Sequence, residues 1–105
     1  MELKISKQAV NWFKDEIGVK EGDVIRFYAQ FYGSSPVQDG YSLAFSKDNP
    51  IDKVVSTELD GIEFFVEESD LWFFDGHNLH VEYDEQEDFL DYKYIKPDSG
   101  AKNTR

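Results

Sequence analysis

The chain contains no cysteine. A disulfide framework is therefore excluded, and stability must come from a packed core. Thiolate nucleophiles and thiolate metal ligands are excluded with it. No stretch approaches the roughly 20 consecutive apolar residues that a membrane-spanning helix needs. Positive charge is scarce: 11 Lys and Arg stand against 22 Asp and Glu, a net charge of −11. An acidic field repels phosphate backbones and anionic headgroups, so neither a nucleic acid nor a membrane is an expected partner. Solubility is the plain reading of this charge, and a basic protein partner is the sharper one. Met1-Glu2-Leu3-Lys4-Ile5 lacks the basic-then-apolar layout of a signal peptide, so the cytoplasm is the expected location. The chain also has no G-x-S-x-G elbow, no phosphate loop and no legible nucleophile–base pair, so no enzyme is expected.

What is present suits a small globular unit. Of 105 residues, 40% are hydrophobic and 16% aromatic, with nine Phe, six Tyr and two Trp. Large rings fill a small core with few residues. Ser6 is a helix N-cap, and Ala9, Val10, Phe13 and Ile17 recur at helical spacing before Gly18, which predicts a helix over 7–17. After Gly22 the period becomes two. Ile25, Phe27, Ala29 and Phe31 alternate with polar or mixed positions, as a half-buried strand does. Gly33 to Gly40 breaks that strand, and Tyr41, Leu43 and Phe45 begin its hairpin partner. Short strands over 53–57 and 62–66 flank Asp60-Gly61, a strong hairpin signal. Leu71 to Phe74 reads as a helical turn closed at Gly76, and Leu79–Tyr83 and Leu90–Tyr94 as two more strands. The expected fold is mainly β with few helices (α+β). It occupies a single domain over 1–97, with a mobile tail over 98–105.

Leu71, Phe73, Asp75, Gly76, Leu79 and Val81 form an L-x-F-x-D-G-x-x-L-x-V pattern, followed by Tyr92, Tyr94 and Pro97. This arrangement resembles the C-terminal half of the HesB-like family, the A-type iron–sulfur carriers. The resemblance implies a compact β-sandwich or pseudo-barrel with an N-terminal helix and a short helical turn near 70–75. It also implies three cysteine ligands, and this chain has none. The counterpart of the first falls at Ser35 or Pro36, and those of the other two near Asn103 and Arg105. None of these side chains replaces a thiolate on an iron–sulfur cluster, so no cofactor is expected.

Two functional readings follow. The first is a HesB-like protein without cluster ligands that acts as a protein-binding module linked to iron–sulfur assembly, as a monomer or homodimer. Its partner site would be Tyr32, Gly33, Ser34, Ser35 and Tyr41. The alternative is an iron or divalent-metal protein that uses His77, His80 and the carboxylates between Glu82 and Asp91. His77 and His80 also read simply as a turn residue and an exposed strand residue, and the acidic run as a solvated turn. Tyr28, Tyr32, Trp12 and Trp72 are exposed-looking aromatics that suit an interface or a core.

Overall fold

The computed structural model describes residues 1–97; the tail expected to be mobile, 98–105, lies outside the described residues. Among the described residues, seven strands form two sheets. In the smaller, β1 (Leu3–Ile5) runs parallel to β6 (Asn78–Asp84), which pairs antiparallel with β7 (Phe89–Ile95). In the larger, β2 (Val24–Gln30) and β5 (Ile62–Glu67) lie side by side in parallel. They are flanked antiparallel by β3 (Ser42–Lys47) and β4 (Lys53–Leu59) respectively. The mainly β, α+β class read from the sequence is the observed one.

One helix closes the core. Ser6 Oγ accepts from the Ala9 amide at 3.1 Å and starts α1 (Lys7–Trp12). The helix continues as a π-helical turn over Phe13–Ile17 and stops at Gly18, which takes the left-handed conformation. The wider turn changes which side chains face inward, because the helix no longer advances at the ordinary α period. Ile17, expected in the buried stripe, is 39% exposed, and Trp12, which suited an interface or a core, is buried. The Phe13 ring lies 4.9 Å from Phe45, 5.3 Å from Phe64 and 6.2 Å from Phe27. Leu79, Val81 and Leu90 of the smaller sheet join these rings in one core.

The β4–β5 hairpin turns at Asp60-Gly61. Both residues have positive φ, 56° and 77°, as a primed two-residue turn requires. Gly61 is needed there for a second reason: a Cβ would stand 2.5 Å from Glu21 Cγ. After β5, a 3-10 turn (Glu68–Asp70) leads into α2 (Leu71–Phe74). Asp75 and Gly76 then both adopt positive φ and end the helix.

Candidate functional site

The largest exposed aromatic side chains cluster where β2 meets its loop. β2 ends at Gln30, one residue short of the expected alternation. The Tyr32 amide donates back to the Gln30 carbonyl at 2.9 Å, and the Ser42 hydroxyl donates to the Tyr32 carbonyl at 2.6 Å. The Gln30 side-chain amide in turn donates to Ser42 Oγ at 3.1 Å. This reversal carries Phe31 outward. Expected on the inner face of the strand, it is instead 81% exposed, and Tyr32 is 76% exposed.

Tyr41 lies between two other rings, 5.1 Å from Phe31 and 5.0 Å from Trp72 by centroid. Trp72 itself is half exposed. The loop carrying Tyr41 is held from within. Ser34 Oγ donates to Asp39 at 3.1 Å, and Ser35 Oγ accepts from the Gln38 amide at 3.1 Å. Ser34 and Ser35 are thus engaged in holding the loop. Gly40 takes a positive φ of 84°, which favours glycine, and the Phe31 ring packs beside it.

Beneath this surface lies a charged anchor. The Arg26 guanidinium donates to Asp70 at 2.6 Å and lies 5.4 Å over the Tyr28 ring. The Asp70 hydrogen bond raises the Arg26 pKa above the usual arginine value. The other Asp70 oxygen accepts from the Ala29 amide at 3.4 Å. Asp70 immediately precedes α2, so this pair ties the helix bearing Trp72 to β2, the strand that leads to Phe31. Glu67, also buried, accepts from the Ile51 and Asp52 amides at 3.0 Å each and fixes the loop before β4.

Of the residues expected to bind a partner, Tyr41 joins the aromatic cluster directly. Tyr32, Gly33 and Ser34 are exposed on the same loop, and Ser35 is half-buried at its base. Phe31 was missed because alternation placed it inside. Of the aromatics read as exposed-looking, Tyr32 and Trp72 are at the surface, Tyr28 is half-buried and Trp12 is interior.

The histidines do not make a metal centre. His77 Nδ1 lies 2.9 Å from the Phe74 carbonyl and 3.1 Å from that of Asp75, so the ring closes the turn after α2. His80 sits on β6, with Nε2 3.7 Å from a Glu2 carboxylate oxygen. Among the described residues, no group of three or more His, Cys, Asp or Glu side chains is placed to hold a metal. The carboxylates between Glu82 and Asp91 build the β6–β7 turn instead. Asp84 accepts from the Gln86 amide at 2.9 Å, and Asp88 accepts from the Tyr83 hydroxyl at 2.5 Å. That second bond pushes the Tyr83 pKa up to about 12. Glu82 pairs across the strands with Lys93 at 3.2 Å.

No family model matches the chain. Over 94 residues it is 46% identical to a Bacillus subtilis (strain 168) protein named pyruvate dehydrogenase inhibitor. The match covers 90% of this chain and 99% of that protein. The chain belongs to the family of that protein. A Staphylococcus saprophyticus protein is 37% identical over 88% of this chain and 97% of its own length. A Staphylococcus haemolyticus protein is 32% identical over 91% of this chain and 100% of its own length. Both are named only as uncharacterized proteins.

These findings correct the HesB-like assignment and the function drawn from it. The near full-length relative is named for inhibiting pyruvate dehydrogenase, not for carrying a cluster. The link to iron–sulfur assembly and the His/carboxylate metal reading fall together. The residues that carried the resemblance have structural tasks here. Phe73, Leu79 and Val81 are core, Tyr92 and Tyr94 pack against it, and Asp75-Gly76 ends α2. Such a pattern reports how a helical turn feeds a strand, which says nothing about ligation. The ligand counterparts near Asn103 and Arg105 lie outside the described residues.

Proposed function

We propose that this chain is a non-catalytic protein that binds a pyruvate dehydrogenase and lowers its activity. The observation that carries the reading is the 46% identity, across nearly the whole of both chains, to the Bacillus subtilis protein of that name. The partner surface is the Phe31–Tyr41–Trp72 cluster with its flanking loop, Tyr32 to Ser35. Three features favour it. Its large rings are exposed, the loop is held by its own hydrogen bonds, and the Arg26–Asp70 pair fixes the helix beneath. A surface already ordered before binding loses less entropy on association. Tyr and Trp are also enriched among the residues that dominate interface energy. No helix among the described residues is long and apolar enough to cross a membrane.

The test is a titration of purified chain into the pyruvate dehydrogenase of its own source organism, with an unrelated dehydrogenase in parallel. Saturable, selective loss of the first activity is expected. Unchanged activity at a large excess of chain, together with no association by sedimentation, would reject the proposal.

A further inference from the structure

The exposed rings come from two stretches of sequence that carry no positive charge. No Lys or Arg occurs between Arg26 and Lys47, nor between Lys53 and Lys93. Phe31, Tyr32, Tyr41 and Trp72 all come from these two stretches. Elsewhere, bases pair with acids of the same chain: Lys14 with Asp60 at 2.8 Å, Lys47 with Asp23 at 3.4 Å and Lys53 with Glu63 at 2.5 Å. Exposed acids flank the ring-bearing residues along the chain: Asp39, which accepts from Ser34 Oγ and precedes Gly40 beside the Phe31 ring, and Asp75, three residues beyond Trp72. The rings do not form a flat stack. Tyr41 meets Trp72 at 83° and Phe31 at 44°, so the three make an angled wall, with Phe31 81% and Trp72 50% exposed.

Open aromatic faces edged by carboxylates attract a planar, weakly hydrated cation. Guanidinium fits that description better than ammonium, because it stacks on a ring while donating from its edge to carboxylates. The molecule already contains one such arrangement in Arg26, which lies over Tyr28 while donating to Asp70. We infer that the Phe31–Tyr41–Trp72 surface docks an arginine-bearing segment of its protein partner, with the guanidinium against the rings and toward Asp39 and Asp75. This rests on the protein-binding reading above and names the partner chemistry that the surface takes.

The test uses three short peptides of equal length, carrying three arginines, three lysines or three citrullines spaced by glycine. Each is titrated against the full chain and followed by the NMR shifts of the Trp72 indole N–H and of backbone amides. The arginine peptide should shift Trp72 and the loop around Tyr41, and bind about fivefold or more tighter than the lysine peptide of the same charge. Trp72→Leu and Phe31→Leu, at exposed positions that keep the charge, should erase that preference. Equal affinity for the two cationic peptides would overturn the inference, as would shifts scattered over the acidic surface or a preference that survives both substitutions. Binding of the same variants to the purified dehydrogenase separates the two proposals. If the enzyme binds wild type and Trp72→Leu equally, the arginine surface fails and the inhibitor reading stands. If the peptides map to Trp72 but the enzyme does not bind, the inhibitor reading fails and the surface serves another arginine-bearing protein.

Discussion

Phe13, Phe27, Phe45 and Phe64 form one aromatic cluster in this molecule, and Phe31, Tyr41 and Trp72 form another. The ring spacings are alike: 4.9 to 6.2 Å in the first, 5.0 to 5.1 Å in the second. What separates them is water. Phe13, Phe27 and Phe64 are fully buried, whereas Phe31 and Trp72 project into solvent. Ring-to-ring geometry contributes about 0.5–1.5 kcal/mol per pair, while removal of a ring's area from water contributes more. The inner cluster therefore holds the fold together. The outer one leaves most of that hydrophobic gain unrealised until something covers it.

The largest effect should come from the inner cluster. Phe64→Ala is expected to cost about 3–5 kcal/mol, read from urea denaturation, because it loses both transfer energy and packing around the cavity left behind. A loss as small as that of a surface substitution would mean the two clusters do not differ as described. Next comes the anchor beneath the outer cluster. Asp70→Ala leaves the Arg26 guanidinium, itself part-buried, without its closest acid, and should cost about 1–3 kcal/mol. It should also weaken partner binding by freeing α2, which Asp70→Asn would do less severely.

The outer cluster should behave in the opposite way to the inner one. Phe31→Ala is expected to change stability by less than about 0.5 kcal/mol, yet to weaken association with the partner by about tenfold or more. Thermal melts and binding titrations on the same preparation check both halves.

The smallest effect is a pH dependence that touches neither cluster. Hydrogen bonds from Lys14 and Lys7 hold the Asp60 carboxyl below its ordinary value of 3.8. A depressed folded pKa means stability that is present above the unfolded value and is lost as pH falls through the folded one. Asp60→Asn, which tolerates the left-handed turn, should therefore lower neutral-pH stability slightly and flatten the acid limb below about pH 4 by the same amount, so that the two proteins converge in acid. An identical acid limb in the two proteins would remove Asp60 from the account.

Much of the fold was legible because local signals agreed with tertiary demands. Ser6, Gly18 and Asp60-Gly61 act as their residue types predict. β1 was not read, since three residues supply too short an alternation and their pairing partner lies far along the chain. The π-helical turn was equally silent, because no residue in Phe13–Ile17 announces a wider turn, and its consequence was to carry Ile17 out of the expected buried stripe. The candidate surface was half legible. Glycines and serines marked the loop, and Tyr32 and Tyr41 flanked it. Phe31 was hidden by a period that stopped one step early, and Trp72 joins Tyr41 through a tertiary contact that spacing does not encode. The HesB-like pattern misled for a related reason. Its residues are those any chain needs to end a helical turn and enter a buried strand.

The most direct test of the account is inhibition of the purified pyruvate dehydrogenase by wild-type chain and by the Phe31→Ala/Trp72→Ala double variant, compared at matched melting temperature. The account predicts that the wild type inhibits and that the equally folded variant does not. Equal inhibition by both proteins would contradict the assignment of function to the aromatic surface, and inhibition by neither would contradict the function itself.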